Sequence, residues 1–204
     1  MRRSPVKPVT AVCPLLCHYR AVNALMSAEG AQSRPPRLEP GSVERCALLA
    51  QLAEARQRSC LLVLGPAGSG KTSLALQWRG RAIAFGHEVA WLTAQAGDDG
   101  QALLGPLLDA LDAVDPHIGR EARMLYNRGV DGPADDAIAI ALLRALMARS
   151  RPLLLVLDDW QNVNDTRAHA ALQTLLDFAP PTLHIMIVSR SVPPLALARL
   201  RAQG

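Results

Sequence analysis

Aromatic residues are scarce in this sequence: 3 Trp, 2 Tyr and 2 Phe among 204 residues. A core must therefore be built from Leu, Ala, Val and Ile, and the 50% apolar content is enough for one. The same scarcity removes the mix of basic and aromatic side chains on which nucleic-acid binders stack bases. Cysteine is also sparse. Cys13, Cys17, Cys46 and Cys60 are scattered. Cys13 and Cys17 precede His18, but no second pair of ligands follows downstream, so free thiols in a reducing compartment are expected. No apolar run reaches the ~20 residues that span a membrane. Neither charge sign dominates: 22 Lys and Arg against 18 Asp and Glu leave a net charge of +4. That balance suits an anionic ligand without arguing for nucleic acid. No helix-turn-helix and no internal repeat is legible. With thiols expected to be free and reduced, the expected location is the cytoplasm.

What the sequence does contain is Gly65–Thr72, read G-P-A-G-S-G-K-T. An apolar run, Cys60–Leu64, precedes it, and a helical pattern, Ser73–Phe85, follows. Strand, glycine-rich turn and helix, with the spacing G-x-x-x-x-G-K-[ST], form the phosphate-binding P-loop. Glycine lets the backbone curl so that successive N–H groups point at an anion. The helix then offers unpaired N–H groups and its positive dipole end. Gly65, Pro66, Ala67, Gly68, Ser69, Gly70 and Ser73 are expected to line the nucleotide site. Lys71 would reach its β- and γ-phosphates, and the Thr72 hydroxyl would hold Mg²⁺.

A second apolar run, Leu153–Leu157, ends in Asp158 and Asp159. A continuous apolar run suits a strand buried on both faces of a parallel sheet. Ligands bind at the carboxyl ends of such strands. Asp158 is therefore expected beside the Mg²⁺, and Asp159 is expected to orient or deprotonate the attacking water. Ser189 and Arg190 follow a further strand, Leu183–Val188. Arg190 is read either as a sensor of the γ-phosphate or as a surface arginine in a turn. Upstream, Val43–Ala55 has helical spacing, with Ser42 as its cap and Arg45 in its first turn. Val43 and Arg45 would cover the nucleotide base or simply pack on the sheet.

The remaining pattern gives a strand at Glu88–Thr93 and helices at Gln101–Val114, Ala134–Arg149 and Leu195–Ala202. A further helix is capped by Asp165. Pro106 should restart or kink the first of these helices. Asp115–Asp131 reads as an irregular connection. Residues 1–33 read as a disordered leader. Arg2, Arg3 and Lys7 precede an apolar patch too short, and too interrupted by Pro14, for a signal sequence.

The stretches V-E-R-C-A-L-L-A-Q-L, G-P-A-G-S-G-K-T-S-L-A-L-Q-W, V-A-W-L-T, L-V-L-D-D-W and I-V-S-R-S-V-P-P-L-A-L-A-R-L-R-A-Q-G resemble a known family. It is the nucleotide-binding domain of LuxR-type, MalT-like ATP-dependent transcriptional regulators, among the signal-transduction ATPases with numerous domains. The resemblance runs from about Arg34 to Gly204. It implies a three-layer α/β P-loop fold of the AAA or NACHT kind, with parallel strand order 2-3-4-1-5. It also implies ATP, Mg²⁺, slow hydrolysis, and a switch between ADP- and ATP-bound states in which the ATP form oligomerises. Three departures stand out. Ser69 occupies a usually tyrosine-like position, the acidic segment after strand two is shortened to Gln95–Gly100, and the sequence stops before strand five. Residues 34–204 are thus expected to be a C-terminally truncated domain of order 2-3-4-1, whose edge a second copy or another chain could complete. An ATP-binding module without significant hydrolysis, a non-functional gene fragment and a small-molecule kinase are the competing expectations.

Overall fold

The computed structural model describes residues 32–97, 100–128 and 134–203. The elements, in chain order, begin with α1 (Cys46–Glu54), β1 (Cys60–Leu64), α2 (Lys71–Ala84) and β2 (Glu88–Thr93). Next come α3 (Gly100–Asp112), α4 (Arg120–Asn127), α5 (Ala134–Met147) and β3 (Leu153–Asp158). A 3₁₀ turn (Trp160–Asn162), α6 (Thr166–Asp177), β4 (Leu183–Ser189) and α7 (Leu197–Gln203) complete them. The strands form one parallel sheet of order β1-β4-β3-β2, the expected order 2-3-4-1. The expected leader lies outside the described residues up to position 31, as do Cys13, Cys17 and His18. The Gln32 carbonyl accepts the Thr93 N–H at 2.8 Å.

Every residue of β3 and β4 is buried, as two-sided coverage requires. Alternate side chains face opposite layers. Leu153, Leu155, Leu157, Leu183, Ile185 and Ile187 join one core with α3, α4, α5 and α6. Leu154, Val156, Met186, Val188 and Trp91 join a second core with α1 and α2. Each fully buried side chain of this size contributes about 1.5–3 kcal/mol. Cys46 and Cys60 are free, and burial pushes the Cys60 thiol up to about 11, which leaves it inert at neutral pH. Among the described residues, no helix is long and apolar enough to cross a membrane.

Three local expectations change. The segment expected to be irregular, Asp115–Asp131, contains α4. Arg123 bridges Asp109 and Asp112 of α3 at 2.7 and 2.8 Å, and Ala122 and Ile118 are buried. An eight-residue helix is marginal alone, so these tertiary contacts decide it. Pro106 does not start a new helix, because α3 runs through it. Its neighbours Leu103, Leu108 and Leu111 are buried, and that packing outweighs one lost backbone bond. Finally, α1 begins at Cys46 rather than Val43, with Arg45 as its N-cap and no capping side chain. Ser42 therefore caps nothing, whereas Asp165 accepts the Arg167 N–H at 2.8 Å at the start of α6, as expected.

Candidate functional site

All four strands are parallel, so their carboxyl ends meet along one rim. Leu64 stands level with Ser189, and Thr93 with Asp158. The loop from Gly65 to Gly70 leaves β1 at this rim. The Gly65 N–H donates to the Ser189 carbonyl at 3.3 Å, fastening the loop to β4. The Ser69 N–H donates to the Pro66 carbonyl at 3.3 Å and closes the turn. Gly70 has φ +75°, which a side chain resists, and a Cβ there would collide with the Arg45 guanidinium. At Gly65 a Cβ would sit 2.8 Å from Ser69 Oγ.

Lys71 is buried, and its Nζ donates to the Pro66 carbonyl at 2.9 Å, so the ammonium lies inside the curl of the loop. Ser69 Oγ is buried and has no hydrogen-bond partner among the described residues. A buried hydroxyl without a partner, an enclosed ammonium and glycines where a Cβ would collide make a cradle of the right chemistry for a phosphate. Beside it opens a cleft of about 490 Å³, bounded by Arg45, Leu48, Leu52, Leu62, Gly65 and Lys71. That volume is in the range of small-molecule sites.

Thr72, in the first turn of α2, donates from its hydroxyl to Asp158 Oδ1 at 3.2 Å, 86 positions away in sequence. Asp158 is 2% exposed. Its burial, then the neighbouring charge of Asp159, push its carboxyl above the usual carboxylate range, against hydrogen bonds from Thr72 and the Asp159 N–H. Thr72 and Asp158 fit Mg²⁺, which commonly takes one or two protein oxygens and fills its shell with phosphate and water.

Asp159 has φ +53°, and among the described residues it alone combines positive φ with a side chain. Such a backbone costs about 1–3 kcal/mol and is held by its surroundings. The Asp159 N–H donates to Asp158 Oδ1 and its carbonyl accepts the Asn162 N–H, both at 3.0 Å, and its side chain is held by Gln161. Gln161 Nε2 donates to Asp159 Oδ1 at 2.8 Å, and Gln161 Oε1 accepts the Arg190 N–H at 2.9 Å. One amide thus joins the second acid to the segment after β4. Sequence reasoning missed Gln161, because a polar residue just after a strand carries no periodic signal. Its place two residues past the acid pair was the one available hint. Arg190 is exposed and follows Ser189, the residue bonded to the loop.

Arg45 also reaches the loop: Nη2 donates to the Ser69 carbonyl at 2.6 Å. Val43 is 80% exposed, so plain packing on the sheet does not describe it. Pro66, Ala67 and Gly68 are exposed at the loop's outer bend, and Ser73 is half-buried within α2.

Comparison with known proteins agrees with this fold. A family model described as an AAA ATPase domain matches residues 43–188. The transcriptional regulator MalT of Klebsiella pneumoniae is 32% identical over 173 residues, covering 84% of this chain and 18% of that protein. The serine/threonine-protein kinase PknK of Mycobacterium tuberculosis is 32% identical over 169 residues, covering 81% of this chain and 15% of the kinase. The chain thus spans less than a fifth of the length of these curated relatives. Among solved structures, Cdc6p of Pyrobaculum aerophilum aligns with a TM-score of 0.56 at 17% identity, over 84% of this chain and 46% of that one. At that identity the likeness speaks for the fold, which is the α/β P-loop arrangement built above. The chain belongs to the AAA ATPase domain family.

Proposed function

We propose that this chain is an ATP-binding module, spanning residues 34–204, that works as a slow Mg²⁺-dependent ATPase switch of the kind found in LuxR-type regulators. The observation that carries the proposal is the Thr72–Asp158 hydrogen bond at 3.2 Å, which puts the end of the phosphate loop against the acid of β3. Residues Gly65–Ser73 wrap the phosphates, with the N–H groups of Ala67, Gly68 and Gly70–Ser73, the Ser69 hydroxyl and Lys71 binding them, and Thr72 and Asp158 hold the metal. Bound Mg²⁺ supplies positive charge that offsets charge building on the transferred phosphate. The Asp159 carboxylate, held by Gln161, accepts a proton from the attacking water. Arg190 balances negative charge on the far side. Val43 and Arg45 cover the base end, beside the cleft. We place the module in the cytoplasm, with a second copy or another chain pairing at β1, which among the described residues has a strand neighbour on one side only.

A binding module without significant hydrolysis is the second reading. The strained backbone at Asp159 and its bond to Gln161 favour hydrolysis over it. Calorimetric titration and single-turnover assays with radiolabelled ATP separate the two. Lys71→Ala is expected to abolish binding of Mg·ATP and Mg·ADP. Asp159→Asn is expected to keep ATP affinity and lose turnover by about 100-fold or more. Unchanged turnover in Asp159→Asn removes that residue from the chemistry. ATP held without turnover by the unaltered chain establishes the storage reading instead.

A further inference from the structure

Gln77 lies on α2, six residues beyond Lys71 and so about 9 Å along the helix. Both ends of its amide are used on the segment before α1. Nε2 donates to the Val43 carbonyl at 2.9 Å, and Oε1 accepts the Arg45 N–H at 3.2 Å. These partners settle the orientation of the amide, since a carbonyl only accepts and an N–H only donates. Residues 43–45 are not helical, and Arg45 has φ −94° and ψ 67°. Gln77 therefore serves them as a neighbouring strand would, satisfying two backbone groups that no helix or sheet supplies.

One turn further along α2, Arg81 pairs with Glu44 at 2.7 Å. That pair is well exposed, with side chains 37% and 60% accessible, and contributes little by itself. The amide is the specific fastener. It straps residues 43–45 to the helix whose first turn closes the phosphate loop. Held there, the Arg45 guanidinium falls on the Ser69 carbonyl at 2.6 Å, against Gly70.

We propose that Gln77 is a positioning residue of the nucleotide site: its amide holds Arg45 over the phosphate loop, and the part of nucleoside-phosphate affinity that Arg45 provides depends on it. This builds on the nucleotide-binding role proposed above. The ligand class is a nucleoside di- or triphosphate with its metal. Gln77 touches none of the reacting atoms and acts through Arg45 alone.

The test is a double-mutant cycle read by calorimetric titration with Mg·ADP. Gln77→Met keeps the length of the side chain and removes both hydrogen-bonding ends. Gln77→Glu keeps the acceptor for Arg45 and loses the donor. Gln77→Met is expected to weaken Mg·ADP by about 3–10-fold, with part of the loss recovered in Gln77→Glu. In an Arg45→Ala background, Gln77→Met is expected to add nothing further. Amide exchange at residues 43–45 is expected to quicken while β3 stays protected, a local change that general destabilisation does not produce. Wild-type affinity in Gln77→Met, or an equal loss with and without Arg45, overturns the proposal. If Gln77→Met does not fold, Gln77→Ala takes its place in the cycle, and wild-type affinity or a loss independent of Arg45 overturns the proposal in the same way. If the unaltered chain binds Mg·ADP no better than Lys71→Ala, the nucleotide assignment itself falls, whereas amide exchange still reports whether the strap exists.

Discussion

Asp158 combines burial with a neighbouring acid, two demands that conflict with its charge. It is buried at the end of an apolar strand, and its carboxyl is pushed upward first by that burial and then by Asp159. A raised value means that the folded state prefers the neutral acid. Its stabilising contribution is present below the ordinary carboxylate value of 3.8 and is lost as pH rises through the folded value. At neutral pH the residue is therefore a cost to the nucleotide-free chain. Asp158→Asn is expected to raise the melting temperature without nucleotide, with the gain shrinking toward acid pH. The same variant is expected to remove the Mg²⁺ dependence of nucleotide binding. Thermal melts across pH and titrations with and without Mg²⁺ check both halves. Gln161 calls for a different experiment. Gln161→Leu breaks the link from Asp159 to the Arg190 N–H while leaving the phosphate loop intact. ATP turnover is expected to fall about 10–100-fold with affinity nearly unchanged, read by single-turnover kinetics beside titration.

At the scale of elements, α4 shows how far local pattern reaches. Its sequence, R-E-A-R-M-L-Y-N, places its few apolar residues on one helical face, but it is only eight residues long and mostly polar, too little to hold a helix by itself. It is helical because Arg123 meets Asp109 and Asp112 of α3 and because Ala122 fills the core. Arg123→Ala is expected to cost about 1 kcal/mol, modest because the Arg123 side chain is about a third exposed. Amide exchange in residues 120–127 is expected to quicken more than in β3 or β4, which mass-spectrometric exchange resolves. The chain before α1 behaves the same way. Helical spacing suggested a start at Val43, yet the helix starts at Cys46, because Gln77 holds Val43 and Arg45 off the helical path. By contrast, β1, β3 and β4 start where short apolar runs begin, since a buried strand announces itself by composition.

The whole molecule is a sheet with two unlike edges. β2 carries the Gln32 carbonyl at its rim, whereas β1 pairs only with β4 among the described residues, and Leu64 at its end is 44% exposed. A partner at β1, as proposed above, would sit beside Gly65, within reach of the binding loop. Ligand binding should also be felt by the entire fold, since loop, acid pair and Arg190 stand on three different strands. With Mg·ATP at about 100 times its dissociation constant, stabilisation is about 2.7 kcal/mol. For a chain of this size the melting temperature is expected to rise by about 5–10 °C. Lys71→Ala is expected to melt at the same temperature with and without nucleotide, and calorimetry or circular dichroism reads the difference.

The sequence by itself determined the P-loop, the acid pair, the strands and the layered α/β class. These are written in local spacing: glycines where φ must be positive, apolar runs where both faces are covered, acids where a strand ends. Only the tertiary structure decided that Thr72 and Asp158 touch, that Gln161 joins Asp159 to Arg190, and that Gln77 and Arg45 fasten the arm to the loop. The reason is the range of the force. A hydrogen bond acts over about 3 Å in space and is indifferent to separation along the chain, so its partners cannot be paired until the sheet has brought their strands to one rim.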